Sequence, residues 1–87
     1  MTEIRVISID EQSYKVTVIA DSTTTHEVNV QADYAQKLTA GKISTAELVK
    51  KSFEFLLERE SNTSILRRFD LSVIARYFPE YEREIVK

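Results

Sequence analysis

The sequence predicts an α+β fold, a three-stranded antiparallel meander followed by one long and several short helices. Three observations predict it. Apolar and polar residues alternate at period two through the first third of the chain. From about Asp33 onward the apolar spacing lengthens to that of a helix. The connections between the strand segments are short and polar, which favours neighbouring antiparallel strands. The 87 residues make one small globular domain, with strands over 1–31 and helices over 32–87.

Glu3–Ile9 reads EIRVISI, with Ile4 and Val6 on one face and Ile7 and Ile9 on the other. Apolar residues on both faces predict a strand covered at least partly on each side. DEQS, Asp10–Ser13, supplies a turn. In the second strand, Tyr14–Ala20, the residues Tyr14, Val16 and Val18 alternate with Lys15 and Thr17. DSTTT leads into a third strand, His26–Val30, with Val28 and Val30 on one face. The edge of this short strand is expected to be open to a partner strand or to a copy of itself.

Asp33 and Gln36 stand at capping-box spacing for a short helix, which Gly41, the single glycine, ends in the left-handed conformation. Ser44 and Glu47 form a second capping box, opening the long helix, which is expected to reach about Glu60. Its apolar residues Leu48, Val49, Phe53, Phe55, Leu56 and Leu57 span an arc of roughly 200°. So wide an arc predicts packing on the sheet and on another element. A short helix is predicted over Ile65–Phe69 and a second over Leu71–Tyr77, with Asp70 capping or bending the chain between them. Pro79 suits the start of a last helix with Tyr81 and Ile85 on one side.

Composition excludes several classes. Hydrophobic residues are 43% and charged residues 30% of the chain, the balance of a folded soluble protein. Twelve basic and fourteen acidic residues leave a net charge of −2, so there is no global attraction to a phosphate backbone. No cysteine is present, which excludes disulfides and cysteine-based zinc sites and fits a reducing compartment. Without a secretory pattern or an apolar run of roughly 18 residues, a cytoplasmic protein with no membrane contact is expected.

Catalytic signals are weak. The one histidine, His26, opens the third strand after a polar loop, where a solvated or edge-strand histidine is expected. Its neighbour Glu27 points to the opposite face. Glu54 and Glu58 share a helical face with lysines, which reads as a solvated surface. There is no HExxH, P-loop, GxSxG or CxxC, and one glycine makes no phosphate cradle. No enzyme, cofactor or metal is expected.

SILRRFDLSVIARYF, from Ser64 to Phe78, has the outline of a degenerate helix-turn-helix. Arg76 would then face base edges while Arg67 and Arg68 held phosphates. Against this, Asp70 stands where such turns often carry glycine, and Val73, Ile74, Tyr77 and Phe78 read as core or interface. The aromatic residues, concentrated from Tyr34 onward, predict a shared aromatic core or a self-complementary surface. The favoured reading is therefore a protein-protein interaction or assembly module, binding a protein partner or its own copy. Arg67, Arg68, Arg76, Tyr77 and Tyr81 are its expected contact residues. The alternative is a nucleic-acid-binding regulator that uses the three arginines.

The segment from HEVNV through LVKKSFEFLLERESNTSILRRFDLSVIARYFPEY resembles an uncharacterised family of small bacterial proteins, over roughly Val28 to Tyr81. The resemblance implies a bacterial, soluble, single-domain origin and transfers no function. Strands followed by helices also superficially resemble small antitoxin-like proteins, but no diagnostic antitoxin motif is present.

Overall fold

The computed structural model describes residues 2–86. Among them, β1 (Glu3–Ser8), β2 (Ser13–Ile19), β3 (Thr23–Asn29) and β4 (Arg68–Asp70) form one sheet in the order β1-β2-β3-β4. The helices are α1 (Ala32–Thr39), α2 (Thr45–Leu57), α3 (Val73–Tyr77) and α4 (Tyr81–Ile85), with a 3₁₀ turn at Asn62–Ser64. The class is α+β, as the sequence predicts, but the sheet has a fourth strand.

β1, β2 and β3 form the expected antiparallel meander, with Val6 opposite Val16 and Val16 opposite His26. Buried and exposed residues alternate along β2 and β3, so one face is covered and the other is open. The covered face carries Ile4, Val6, Tyr14, Val16, Val18, Thr24, His26 and Val28, and α2 packs against β1 and β2. The cover expected on both sides of β1 is absent: Ile7 is 58% and Ile9 54% exposed.

After β3 the chain runs through α1 and α2 and returns as β4, parallel to β3, with Val28 paired to Phe69. A parallel pair requires such a crossover. The Glu27 amide donates to the Arg67 carbonyl at 2.7 Å, and the Leu71 amide to the Asn29 carbonyl at 2.8 Å. This overturns the predicted helix over Ile65–Phe69 and places a strand in the half expected to be helical. The physical reason is a degenerate spacing. Residues four apart share a face in a helix and also in an extended chain, so buried Ile65 and Phe69 satisfy both periods. The unpaired edge of β3 decides for the strand.

The Ser44 cap is as predicted, its hydroxyl accepting from the Glu47 amide at 3.1 Å, although α2 ends at Leu57 rather than near Glu60. The Asp33 capping box is not formed. α1 begins at Ala32, and Asp33 accepts from the adjacent Tyr34 amide at 2.9 Å within the first turn. Two left-handed residues follow α1, Ala40 at φ 53° and the expected Gly41 at φ 74°. Only the glycine takes that conformation without a Cβ penalty.

Phe53 lies at the centre of the core, its ring 5.3 Å from that of His26 and 6.0 Å from that of Phe69. Phe55 meets Phe78 and Tyr81 edge-on at 5.9 and 5.3 Å. The Tyr81 hydroxyl donates to Ser52 Oγ at 2.6 Å, and Ser52 Oγ donates to the Leu48 carbonyl at 2.7 Å. The carbonyl can only accept, which fixes this order. Burial pushes the Tyr81 phenol up to about 12. Ser52→Ala would strand the buried Tyr81 hydroxyl and is expected to lower stability by about 1–3 kcal/mol. Tyr81→Phe leaves Ser52 bonded to Leu48 and should cost less. Urea unfolding of both variants and of the double variant, which should recover part of the loss, checks this relay.

Candidate functional site

The C-terminal third forms an apolar groove. Ile65, Phe69 and Ile74 turn inward and are buried, while Leu66 and Tyr77 remain 49% and 68% exposed. Asp70 makes the arrangement. Its carboxylate accepts from the Ser72 amide at 3.0 Å and the Ser72 hydroxyl at 2.8 Å, an Asx turn that starts α3 directly after β4. The resulting cleft of about 300 Å³ is lined by Leu56, Ile65, Leu66, Phe69, Val73, Ile74, Tyr77 and Phe78, with Glu60 and Ser64 as its polar members. Arg59 braces the adjoining core: its guanidinium lies 3.6 Å from the Phe55 ring centroid and its Nη1 donates to the Phe55 carbonyl at 3.0 Å.

The predicted contact residues do not form one patch. Tyr77 lines the groove. Arg67 and Arg68 line a separate basin on the open face of the sheet, with Ile9, Lys15, Thr25, His26 and Glu27. Arg68 pairs with Glu27 at 3.8 Å. Arg76 is exposed on α3 and lines neither concavity. Tyr81 is 0% exposed and its hydroxyl is engaged by Ser52, so it belongs to the core rather than to a contact surface. The helix-turn-helix outline loses its frame, because its first helix is β4 and its second, α3, has 5 residues. The edge expected to be open on the third strand is occupied by β4.

His26 is neither solvated nor on an edge. It is 1% exposed and joins two distant parts of the chain. Its Nδ1 lies 2.8 Å from the Leu66 carbonyl and its Nε2 2.8 Å from Thr24 Oγ1. A carbonyl only accepts, so Nδ1 carries the proton and Nε2 accepts from the Thr24 hydroxyl. Thr24 Oγ1 in turn accepts from Asn62 Nδ2 at 2.9 Å, and the same amide nitrogen donates to the Ser22 carbonyl at 2.8 Å. Both ring nitrogens are thereby engaged, and neither meets a carboxylate. The sequence holds a signal for this: His26 has the parity of Val28 and Val30, the apolar face of its strand.

Elsewhere the Tyr34 hydroxyl donates to Glu82 at 2.7 Å, with Lys37 3.6 Å from the same carboxylate, tying α1 to α4. Burial, and then this bond, raise the Tyr34 pKa. Among the described residues no three metal-ligating side chains converge, and no helix is long and apolar enough to cross a membrane. Comparison with known proteins adds no assignment: no family model, no curated protein and no solved structure matches the chain.

The relay around His26 carries a pH dependence. Burial lowers its pKa from the ordinary 6.5; the Leu66 bond opposes that shift, and the nearby Arg67 guanidinium adds to it. Protonation would aim a second donor at Thr24, whose oxygen already receives the Asn62 amide. The unfolded chain therefore binds the proton more readily than the native state. The contribution to stability is complete above 6.5 and is lost as pH falls from there toward the depressed native value, by at most about 1.4 kcal/mol per pH unit. Urea midpoints measured across this window should fall for the native chain, with a shallower fall for His26→Gln.

Proposed function

We propose that this protein is an interaction module whose contact surface is the groove between the end of α2, β4 and α3. The observation that carries this reading is the exposure of Leu66 and Tyr77 on the rim of an otherwise apolar cleft. Large apolar side chains held at the surface around a concave apolar floor mark a docking site. The cleft is at the small end of the range for small-molecule pockets, and its lining is mainly apolar, with Glu60 and Ser64 as its polar members. A protein segment that inserts two or three apolar side chains fits it better, with Tyr77 as the anchor.

A photo-crosslinking residue placed at Tyr77 tests this in extract from the native source. A discrete partner band is expected from position 77 and none from Lys50, an exposed residue on α2 outside the groove. Leu66→Glu should abolish the band while leaving the melting temperature nearly unchanged, because Leu66 is half exposed. Equal labelling from both positions would overturn the reading.

One observation favours a second reading. The basin on the open sheet face gathers Lys15, Arg67 and Arg68 around Glu27 as its one carboxylate. A single-stranded nucleic acid bound there would dissociate steeply with salt, by counterion release. Anisotropy of a labelled oligonucleotide, titrated at low and physiological salt with Arg67→Glu/Arg68→Glu as the control, decides between the two. Binding that the control loses would favour the basin; no binding at low salt would remove it.

A further inference from the structure

We infer that two copies of this chain associate through the free edge of β1, joining their sheets antiparallel across a two-fold axis at Ile4. β4 pairs with β3 over Glu27–Asn29 and the 3₁₀ turn at Asn62–Ser64 also packs against β3, so the sheet's two outer strands are β1 and β4. β4 has 3 residues, whereas β1 has 6, with no proline, glycine or bulge to block pairing.

The direction of its backbone groups follows from the hairpin. The Ile9 amide donates to the Ser13 carbonyl at 2.8 Å, toward β2. In an antiparallel ladder the bonding direction alternates by residue. Ile7, Arg5 and Glu3 therefore bond to β2, and Ile4, Val6 and Ser8 present their amides and carbonyls to the free edge. The side chains of Ile4 and Val6 lie on the core face yet are only partly buried, unlike Val16 and Val18 beside them. The apolar layer is thus incomplete at this rim, where a second copy would continue it.

Charge selects the register and the partner. Glu3 and Arg5 share the open face of β1 and form an ion pair with each other. A two-fold axis at Arg5 would set Arg5 against its own copy. An axis at Val6 would set Arg5 against Ile7 and Glu3 against Ile9. An axis at Ile4 sets Glu3 of one copy opposite Arg5 of the other, twice over, and pairs the outward groups of Ile4 across the axis. Opposite charges directly across a ladder stabilise it and like charges oppose it. The strand is therefore complementary to itself in this register, the property an isologous interface requires.

Charge reversal tests this without disturbing the fold, since Glu3 and Arg5 are both exposed. Sedimentation equilibrium from micromolar to millimolar concentration should show a reversible dimer for the native chain. Glu3→Arg alone and Arg5→Glu alone should each weaken it about tenfold, because two attractive pairs become repulsive. The double variant should recover the dimer, and a mixture of the two single variants should form the heterodimer. Hydrogen exchange at the Ile4 and Val6 amides should slow as concentration rises. A native chain that stays monomeric throughout overturns the inference. So does a dimer indifferent to both reversals, or one lost with Leu66→Glu, which would move self-association to the groove.

Discussion

The bond between buried His26 and the Leu66 carbonyl is the constraint on which the rest of the structure rests. It joins residues 40 apart, at 2.8 Å, tying a histidine that is 1% exposed to the backbone of half-exposed Leu66 at the border of the core. A histidine placed there must be neutral and must satisfy both ring nitrogens. Leu66 takes one and Thr24 the other, and Asn62 completes the chain of donors. The same contacts hold the 3₁₀ turn and the approach to β4 against β3, so the polar relay and the parallel strand pair specify one another. Phe53 seals the site, its ring against His26 on one side and against Phe69 of β4 on the other.

The surface follows from that placement. Once β4 lies beside β3, the edge of β3 is taken over Glu27–Asn29, and the 3₁₀ turn at Asn62–Ser64 also packs against that strand. The strand is short, and Asp70 turns the chain at once into α3. The groove exists because α3 and the end of α2 flank β4 while Leu66 and Tyr77 remain outside the core. On the open sheet face, parity brings Lys15, Glu27 and Arg68 into one row, where attraction between Arg68 and Glu27 partly balances the basin. An exposed pair of this kind adds roughly 0–1 kcal/mol, so the row shapes electrostatics more than stability.

Local signals were readable where one period or one cap stood alone. The alternation of Tyr14, Val16 and Val18 places β2, and Ser44 with Glu47 places the start of α2. The apolar arc from Leu48 to Leu57 correctly announces a helix with more than one neighbour, since α2 meets β1, β2, α1 and α4. Spacings that satisfy two periods misled. Ile65 and Phe69 fit a helix as well as they fit a strand, and only the distant edge of β3 resolves them. His26 looked polar by residue type, although its parity pointed inward. Of the expected contact residues, Tyr77 is exposed and lines the groove. Tyr81 differs only in tertiary surroundings, which the sequence around it does not reveal: Ser52 is twenty-nine residues away.

The two proposed contact surfaces are tied to opposite ends of the sheet, β1 at one edge and β4 at the other. That order has a consequence for assembly. Joining two copies at β1 would make one continuous sheet with a β4 strand at each end, and both grooves would stay free. Such a dimer would present two equivalent apolar grooves separated by the width of the joined sheets. A partner with two matching segments, or two partners held together, would bind it with an effective concentration set by that separation, and so more tightly than a single groove allows. A small domain has little area for any one contact. Pairing one edge with itself and reserving the far side for a partner would let a chain of this size act as a bivalent adaptor, with each proposed surface built from only a few residues.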